Sequence, residues 1–245
     1  MFSHLTLDIE TIPAQRADVL AHFSHQASQD TAHKINGIRA PGNYKDEAKI
    51  AEYVEQAKKT IIDSEQTALA EAVRKTSLSG AFGQVVCIGV AQGQDEPQVL
   101  SGLNERELLL AFTEWLDHIP RASWLDTTVI GHNCANFDLR FLLQRHIVNQ
   151  VRPHTIIKRA ASAKPWESEK VYDTMVQFAG IGQYISLDKL CLALGLPGKG
   201  DITGADVWPM VQAGRLDEVA DYCKSDVSTT RAVFQRMTFE AVHVQ

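Results

Sequence analysis

The chain has 245 residues, enough for one large domain or two small ones, and should bury roughly three quarters of its unfolded surface. Hydrophobic residues make up 44% and charged residues 22%, which excludes the disordered and fibrous classes. A net charge of −6, from 24 Lys+Arg against 30 Asp+Glu, argues against coating duplex nucleic acid by bulk electrostatics, but leaves room for a local basic groove or for clustered carboxylates holding cations.

In chain order, His4 to Thr11 alternates and stops at Pro13, a short first strand with an acidic end. Ala14 to about Asn43 is weakly patterned, with one helix near Ala17 to Gln26 and a turn at Pro41-Gly42-Asn43. Asp46 to about Leu78 reads as a helix. Its Ile50, Tyr53, Val54, Ala57, Ile61 and Ile62 are read as a buried stripe opposite a solvated, charge-mixed face, with a partner-binding helix as the alternative. Gln84 to Ala91 suits a buried strand, and Gln98-Val99-Leu100 is placed to pair with it. Asn104 caps a helix to about Asp117, Thr127 to Gly131 is a further strand, and a helix runs from about Asn136 to His146. An irregular stretch to Trp166 precedes helices at Ser186 to Leu194, Gly204 to Val211 and Leu216 to Met237. The pattern predicts a single α/β domain over 1–245, a mixed central sheet flanked by helices. Residues 14–80 form a helical insertion after the first strand, because a first strand should not wait so long for its neighbour.

No apolar run approaches the ~18 residues of a membrane helix. Met1-Phe2-Ser3-His4 has neither the basic flank nor the apolar core of an export signal, so a cytoplasmic protein with no membrane partner is expected. Cys87, Cys134, Cys191 and Cys223 lack C-x-x-C or zinc spacing and read as reduced, mostly buried thiols.

Three places carry chemistry. Asp8 and Glu10 stand two apart on a strand, so both carboxylates share a face and repel each other unless a cation lies between them. Asp138 lands in a first helical turn after Gly131-His132-Asn133, where the helix dipole would choose an acid with no function at all. Tyr222 and Asp226 are i,i+4 on one helix face. Singly, each has a bland explanation.

Taken in order, Asp8-Ile9-Glu10, Asn133-x-x-x-Phe137-Asp138 and Tyr222-x-x-x-Asp226 resemble the three motifs of the DEDDy 3′–5′ exonucleases, a proofreading superfamily with an RNase H-like fold. The middle motif is most similar to that of the exonuclease domain of family B DNA polymerases. Residues 186–231, with Leu187-Asp188-Lys189-Leu190, Leu194 to Lys199 and Tyr222-Cys223, resemble the stand-alone predicted exonucleases related to polymerase B. Tyr44 to Ile50 and Ser79 to Ile88 are similar to phage and prophage members. The DEDDh branch has His five positions before the last acid. Here that position is Asp221, and Tyr222 fits DEDDy.

The resemblance implies a two-metal exonuclease releasing nucleotides from the 3′ end of single-stranded DNA, with Mg²⁺ or Mn²⁺ as cofactor, two per site. Hydrolysis of a phosphodiester needs a nucleophile at neutral pH and charge relief on attacking and leaving oxygens, which two hard cations ~3.5–4 Å apart supply and carboxylates suit. By the same analogy Asp8 bridges both metals, Glu10 and Asp226 complete the first site, and Asp138 serves the second, largely through water. Tyr222, with an ordinary pKa near ~10, would orient water rather than act as base. RNA is the alternative substrate, as in the RNase D type. That type carries a further helical domain, whereas 19 residues follow Asp226 here, which favours DNA without excluding RNA. A decayed, non-enzymatic binding module is the other alternative, although decay normally removes a carboxylate and all four are present. No protein partner can be named.

Leu139 to Trp166 holds six Lys/Arg and no acid. Arg140, Arg145, Arg152, Lys158, Arg159 and Lys164 are therefore candidates for phosphate contacts, with a solvated basic loop as the equal alternative. Asn133 is placed near the substrate or just behind it. Phe137 and Trp166 either stack on bases or, for Phe137, belong to the core. Thr11 is a substrate candidate because discrimination against RNA would come from crowding around the terminal sugar near Asp8 to Thr11. His132 reads as a structural hydrogen-bonding residue, and Asp173 as a turn or helix cap or an acid behind the site. Gly198-Lys199-Gly200 lacks the spacing of a phosphate loop and reads as a turn.

Overall fold

The computed structural model describes residues 3–198 and 200–240. Met1 and Phe2, used in the export argument, and Lys199 of the Gly-Lys-Gly turn lie outside them. The chain divides into two compact units, one running to Ile12 and resuming at Gln84, the other Pro13–Gly83.

In the first unit, strands β1 (Ser3–Ile12), β2 (Gln84–Gln92), β3 (Gln98–Ser101), β4 (Thr127–Gly131) and β5 (Val171–Asp173) form one sheet in the order β3-β2-β1-β4-β5. The β3-β2-β1 pairings are antiparallel; β4 and β5 are parallel to β1. Seven consecutive residues of β2, Val85 to Ala91, are buried, because helices cover both faces. On one face, Leu5, Leu7 and Ile9 join Val85, Ile88, Val90, Phe112, Leu116, Val129, Leu139, Phe141 and Ile156 in the main core. The opposite face of β1 therefore carries Thr6, Asp8 and Glu10.

The main core is roofed by the helices Glu105–Asp117, Asp138–Val148 and Thr155–Ala161. Toward the other face lie Leu187–Leu194, Val207–Gln212 and Leu216–Met237, the last, ninth in chain order among the described α-helices, being α9. Ser186 caps the Leu187 helix, and Gly195 ends it with a left-handed φ of 69°. A buried network locks the roof to the sheet. Arg145 donates to Glu105 through Nε and Nη2 at 2.9 and 2.6 Å, and the same carboxylate accepts from Val85 N and Asn149 Nδ2. With four donors on one carboxylate, the buried charges are matched rather than stranded. Arg145 is thus committed to the interior at 4% exposure, which corrects its assignment as a phosphate contact. No helix among the described residues is long and apolar enough to cross a membrane.

The second unit is built on helices Ala17–Asn36 and Glu47–Lys75. The first runs ten residues beyond the predicted end at Gln26, and the second is capped by Asp46 at Ala48 N, 2.9 Å. Thr76 Oγ1 accepts from Ala14 N at 2.8 Å, closing the unit. The predicted buried stripe is corrected: no residue of Glu47–Lys75 is buried, and Tyr53 and Ile62 are exposed. A helical pair is too small to cover the whole length of a 29-residue apolar face.

Two further segments depart from expectation. The stretch read as irregular contains the helix Thr155–Ala161, only two turns and preceded by Pro153, too short for periodicity to register. Val171–Asp173 is a strand because β4 offers it a parallel edge, and Asp173 then caps the short helix Thr174–Ala179. Neither was predicted.

α9 lies against the sheet at Gly89, the antiparallel partner of Asp8. A Cβ there would stand 2.7 Å from Val227 Cγ2, 2.9 Å from Cys223 Sγ and 3.3 Å from Cys223 O. Gly89→Ala is expected to lower stability by about 1–3 kcal/mol, or several degrees of Tm, through overpacking. Gly102→Ala, whose Cβ would meet nothing within 4 Å, should be nearly neutral. Equal melting temperatures for the two variants would show that α9 is not held this closely.

His146 is fully buried with Nδ1 3.3 Å from Val151 O, and burial holds its pKa below the ordinary value. Below pH ~6.5 the unfolded chain takes up a proton that the folded ring refuses, so this contribution to stability is present above that pH and is lost as pH falls toward the lower folded value. His146→Gln should therefore flatten the fall of Tm on acidification. An unchanged slope in a pH series of melts would place the acid lability elsewhere.

Candidate active site

The site is assembled from β1, the turn between β4 and the next helix, and α9. Because Leu7 and Ile9 are drawn into the main core, Asp8 and Glu10 are turned together toward α9. Glu10 is followed by a register shift in which β2 carries an extra residue: Glu10 pairs with Cys87, Thr11 with Val85. Such a bulge interrupts regular pairing at the strand's acidic end and strengthens the local twist, and pairing resumes with Thr11 and Ile12. Thr11 is half-buried just past it.

The close approach of α9 at Gly89 brings Asp226 beside the two strand acids. One carboxylate oxygen each from Asp8, Glu10 and Asp226 lie within 4.8 Å of one another. Glu10 and Asp226 are buried and Asp8 half-buried. Three carboxylates this close in a poorly solvated place repel strongly, and hard oxygen donors in such a set match a small divalent cation.

Asp138 stands outside this trio. It is 4% exposed, and its Oδ1 accepts from Ile9 N at 3.1 Å, the amide lying between the two strand acids. β4 stops at Gly131, where a Cβ would fall 2.3 Å from Cys134 Cβ and 3.2 Å from Leu7 O. The turn then passes through Asn133 at a left-handed φ of 59°, a conformation Asn tolerates better than most residues. The carboxylate of Asp173 braces this turn, accepting from Asn133 N at 2.9 Å and Ala135 N at 3.0 Å while also capping Met175 N at 3.0 Å. His132 bridges Thr174 Oγ1 and Ile185 O, both at 2.9 Å. Both residues thus hold the turn that delivers Asp138.

Tyr222 is half-buried and hydrogen-bonded to Asp226. Burial above all, then the charges of Glu10, Asp226 and Asp8 and that hydrogen bond, push the phenol far above its usual pKa. It is a proton-bearing donor at any physiological pH. Burial and neighbouring acids act likewise on the thiols: Cys87 is pushed up to about 12, and Cys134 and Cys223 are well raised. All four cysteines are buried and reduced. Cys223 points its thiol at Asp8, 3.5 Å from Oδ2. That contact and Gly89 were not found by sequence reasoning. The signal for Gly89 was a lone glycine inside an apolar strand, which marks a close backbone approach.

The basic residues divide. Arg140, Arg152, Lys158 and Lys164 are exposed, as is Trp166 at 74%. Arg159 is half-buried and donates to Thr127 O at 2.8 Å. Phe137 packs partly against the main core, its ring 5.5 Å from that of Phe141. Arg140 and Lys164 line one cavity of about 220 Å³ with Ala135 and Asn136.

Among solved structures, the family B DNA polymerase of the hyperthermophilic archaeon Pyrobaculum calidifontis is similar in fold, with a TM-score of 0.56 at 13% identity over 98% of this chain. The chain spans only 25% of that polymerase. No curated protein matches it. The family model described as predicted 3′–5′ exonuclease related to the exonuclease domain of PolB matches residues 78–245, which include the turn and α9 with Asp138, Tyr222 and Asp226. The chain therefore belongs to this family of predicted 3′–5′ exonucleases related to the polymerase B exonuclease domain.

Proposed function

We propose that the protein is a two-metal 3′–5′ exonuclease acting on single-stranded DNA ends. The observation that carries this reading is the convergence of Asp8, Glu10 and Asp226 within 4.8 Å, with Asp138 anchored on the amide between the two strand acids. Asp8, Glu10 and Asp226 would hold one divalent cation, and Asp8 with Asp138 a second. When bound, Mg²⁺ or Mn²⁺ would neutralise charge on the phosphate and make water a nucleophile at neutral pH.

The chain's own residues supply position. Tyr222, held protonated, keeps Asp226 oriented through their hydrogen bond. The Asp173-braced turn fixes Asp138 relative to β1. Arg140, Arg152, Lys158 and Lys164 offer exposed cations for the phosphates, which is how an acidic protein can hold a strand locally. Retention of every carboxylate supports an enzyme over a decayed binding module.

Assays on end-labelled single-stranded DNA and RNA test this reading. EDTA should abolish strand shortening, and Asp8→Ala should be the most damaging single change. Free of catalysis, the melting temperature gives a second readout: millimolar Mn²⁺ should raise it by several degrees, since about 2.7 kcal/mol accrues at a hundredfold excess over Kd. Asp8→Ala should lose that gain, while its metal-free form melts no lower than wild type because one repelling charge is gone. Shortening that survives EDTA would overturn the proposal.

Tyr222→Phe separates orientation from ligation. Losing a hydrogen bond to a charged group should reduce kcat by roughly 10- to 150-fold while the Mn²⁺-induced rise in Tm persists. Asp226→Asn should diminish both. Loss of the thermal response in Tyr222→Phe would mean that the phenol is needed to build the site itself.

A further inference from the structure

Beside Tyr222 lies a pocket of about 410 Å³ to which Asn133, Tyr184, Asp188, Ile202 and Thr203 also contribute. None of its described lining residues is Lys or Arg, and Asp188 brings a carboxylate. The described lining thus offers a phosphate no cationic side chain, whereas an uncharged base and its sugar would find apolar and hydrogen-bonding surface. Tyr184 is 77% exposed, with Ile181 at 68% on the same connection. The connection turns at Gly180 and Gly182, with φ of 95° and 78°, and its far end is pinned where His132 meets Ile185 O and Ser186 caps the next helix. An aromatic ring is thus held out in water on an anchored segment, at the rim of a pocket that reaches the catalytic phenol. The cavity with Arg140 and Lys164, which Asp173 also lines, borders the second half of the same turn, Ala135 and Asn136, while this one, with no Lys or Arg among its described lining, borders its first half, His132 and Asn133.

We propose that this pocket seats the 3′-terminal nucleoside and that Tyr184 is the platform on which its base stacks. The strand's phosphates then lead away across the turn toward Arg140 and Lys164. This assignment rests on the exonuclease reading and adds a residue outside the three motifs. Stacking tolerates any base, since all present a π face, so the pocket would grip ends without regard to sequence.

The test compares wild type, Tyr184→Ala and Tyr184→Phe on single-stranded DNA ending in a normal nucleotide or in an abasic site. Tyr184→Ala should raise KM on the normal end by roughly 5- to 150-fold, with kcat much less affected, and Tyr184→Phe should restore it, because the ring and not the hydroxyl is needed. On the abasic end, wild type and Tyr184→Ala should have equal KM. A loss of the same size on both ends would overturn the proposal, since it would report a structural defect, and so would a wild-type KM for Tyr184→Ala. A strand carrying 3′-terminal 2-aminopurine, titrated in EDTA, reads the pocket without turnover. Its affinity should fall with Tyr184→Ala even if wild type shortened neither DNA nor RNA, an outcome that would defeat the exonuclease reading alone. Equal 2-aminopurine affinity for wild type and Tyr184→Ala would defeat the pocket alone.

Discussion

The structure depends on how closely α9 can lie on the sheet at Gly89. Asp8, Glu10 and Asp226 repel one another, and nothing in their mutual electrostatics would gather them. They are gathered because apolar packing is stronger: Cys223 and Val227 seat on a strand position without a side chain, directly across from Asp8. One helical turn then sets Tyr222 and Asp226 on the same face, and the burial that holds the helix also keeps the phenol protonated. The energy of the hydrophobic contact is thereby stored partly as charge repulsion, which a bound cation would relieve.

A second constraint fixes the remaining acid. β4 pairs with β1 as far as Ile130 and with β5 as far as Gly131, and the chain must then reverse within a few residues to start a helix. Asn133 takes the left-handed position, and Asp173, arriving from β5, satisfies the amides that the turn leaves open. Asp138 can then accept from Ile9 N. Its position is consequently tied to three strands, so rigid elements rather than loops determine where this carboxylate stands. Asp173 resembles a catalytic acid in type and location, but its hydrogen bonds assign it to backbone.

Charge is distributed with the same economy. The protein is acidic overall, yet the 139–166 segment exposes Arg140, Arg152, Lys158 and Lys164. Of the two that do not join them, Arg159 is half-buried on Thr127 O, and Arg145 is drawn inside by Glu105, because a buried carboxylate accepting from Val85 N and Asn149 Nδ2 needs a matching charge. Composition could count the cations; only burial shows which of them face water.

Period-2 alternation in β1 was enough to place Asp8 and Glu10 on one face, and i,i+4 spacing was enough to align Tyr222 with Asp226, since both follow from backbone geometry within one element. The strands from Gln84, Gln98 and Thr127 and the cap at Asn104 were legible for the same reason. The two-turn helix at Thr155, the three-residue strand at Val171 and the unburied stripe of Glu47–Lys75 were not. Each depends on what a neighbour offers: a roof position, a free parallel edge, or too little partner surface. Arg145 was illegible because a side chain's burial is defined only by the element packed against it, and the lone glycine at 89 signals a close approach without saying which element makes it. The sequence by itself thus determined which carboxylates and phenol are available and the faces on which they stand. The tertiary structure alone decided which groups meet, because distances between elements are set by packing across the sheet, and no local pattern encodes them.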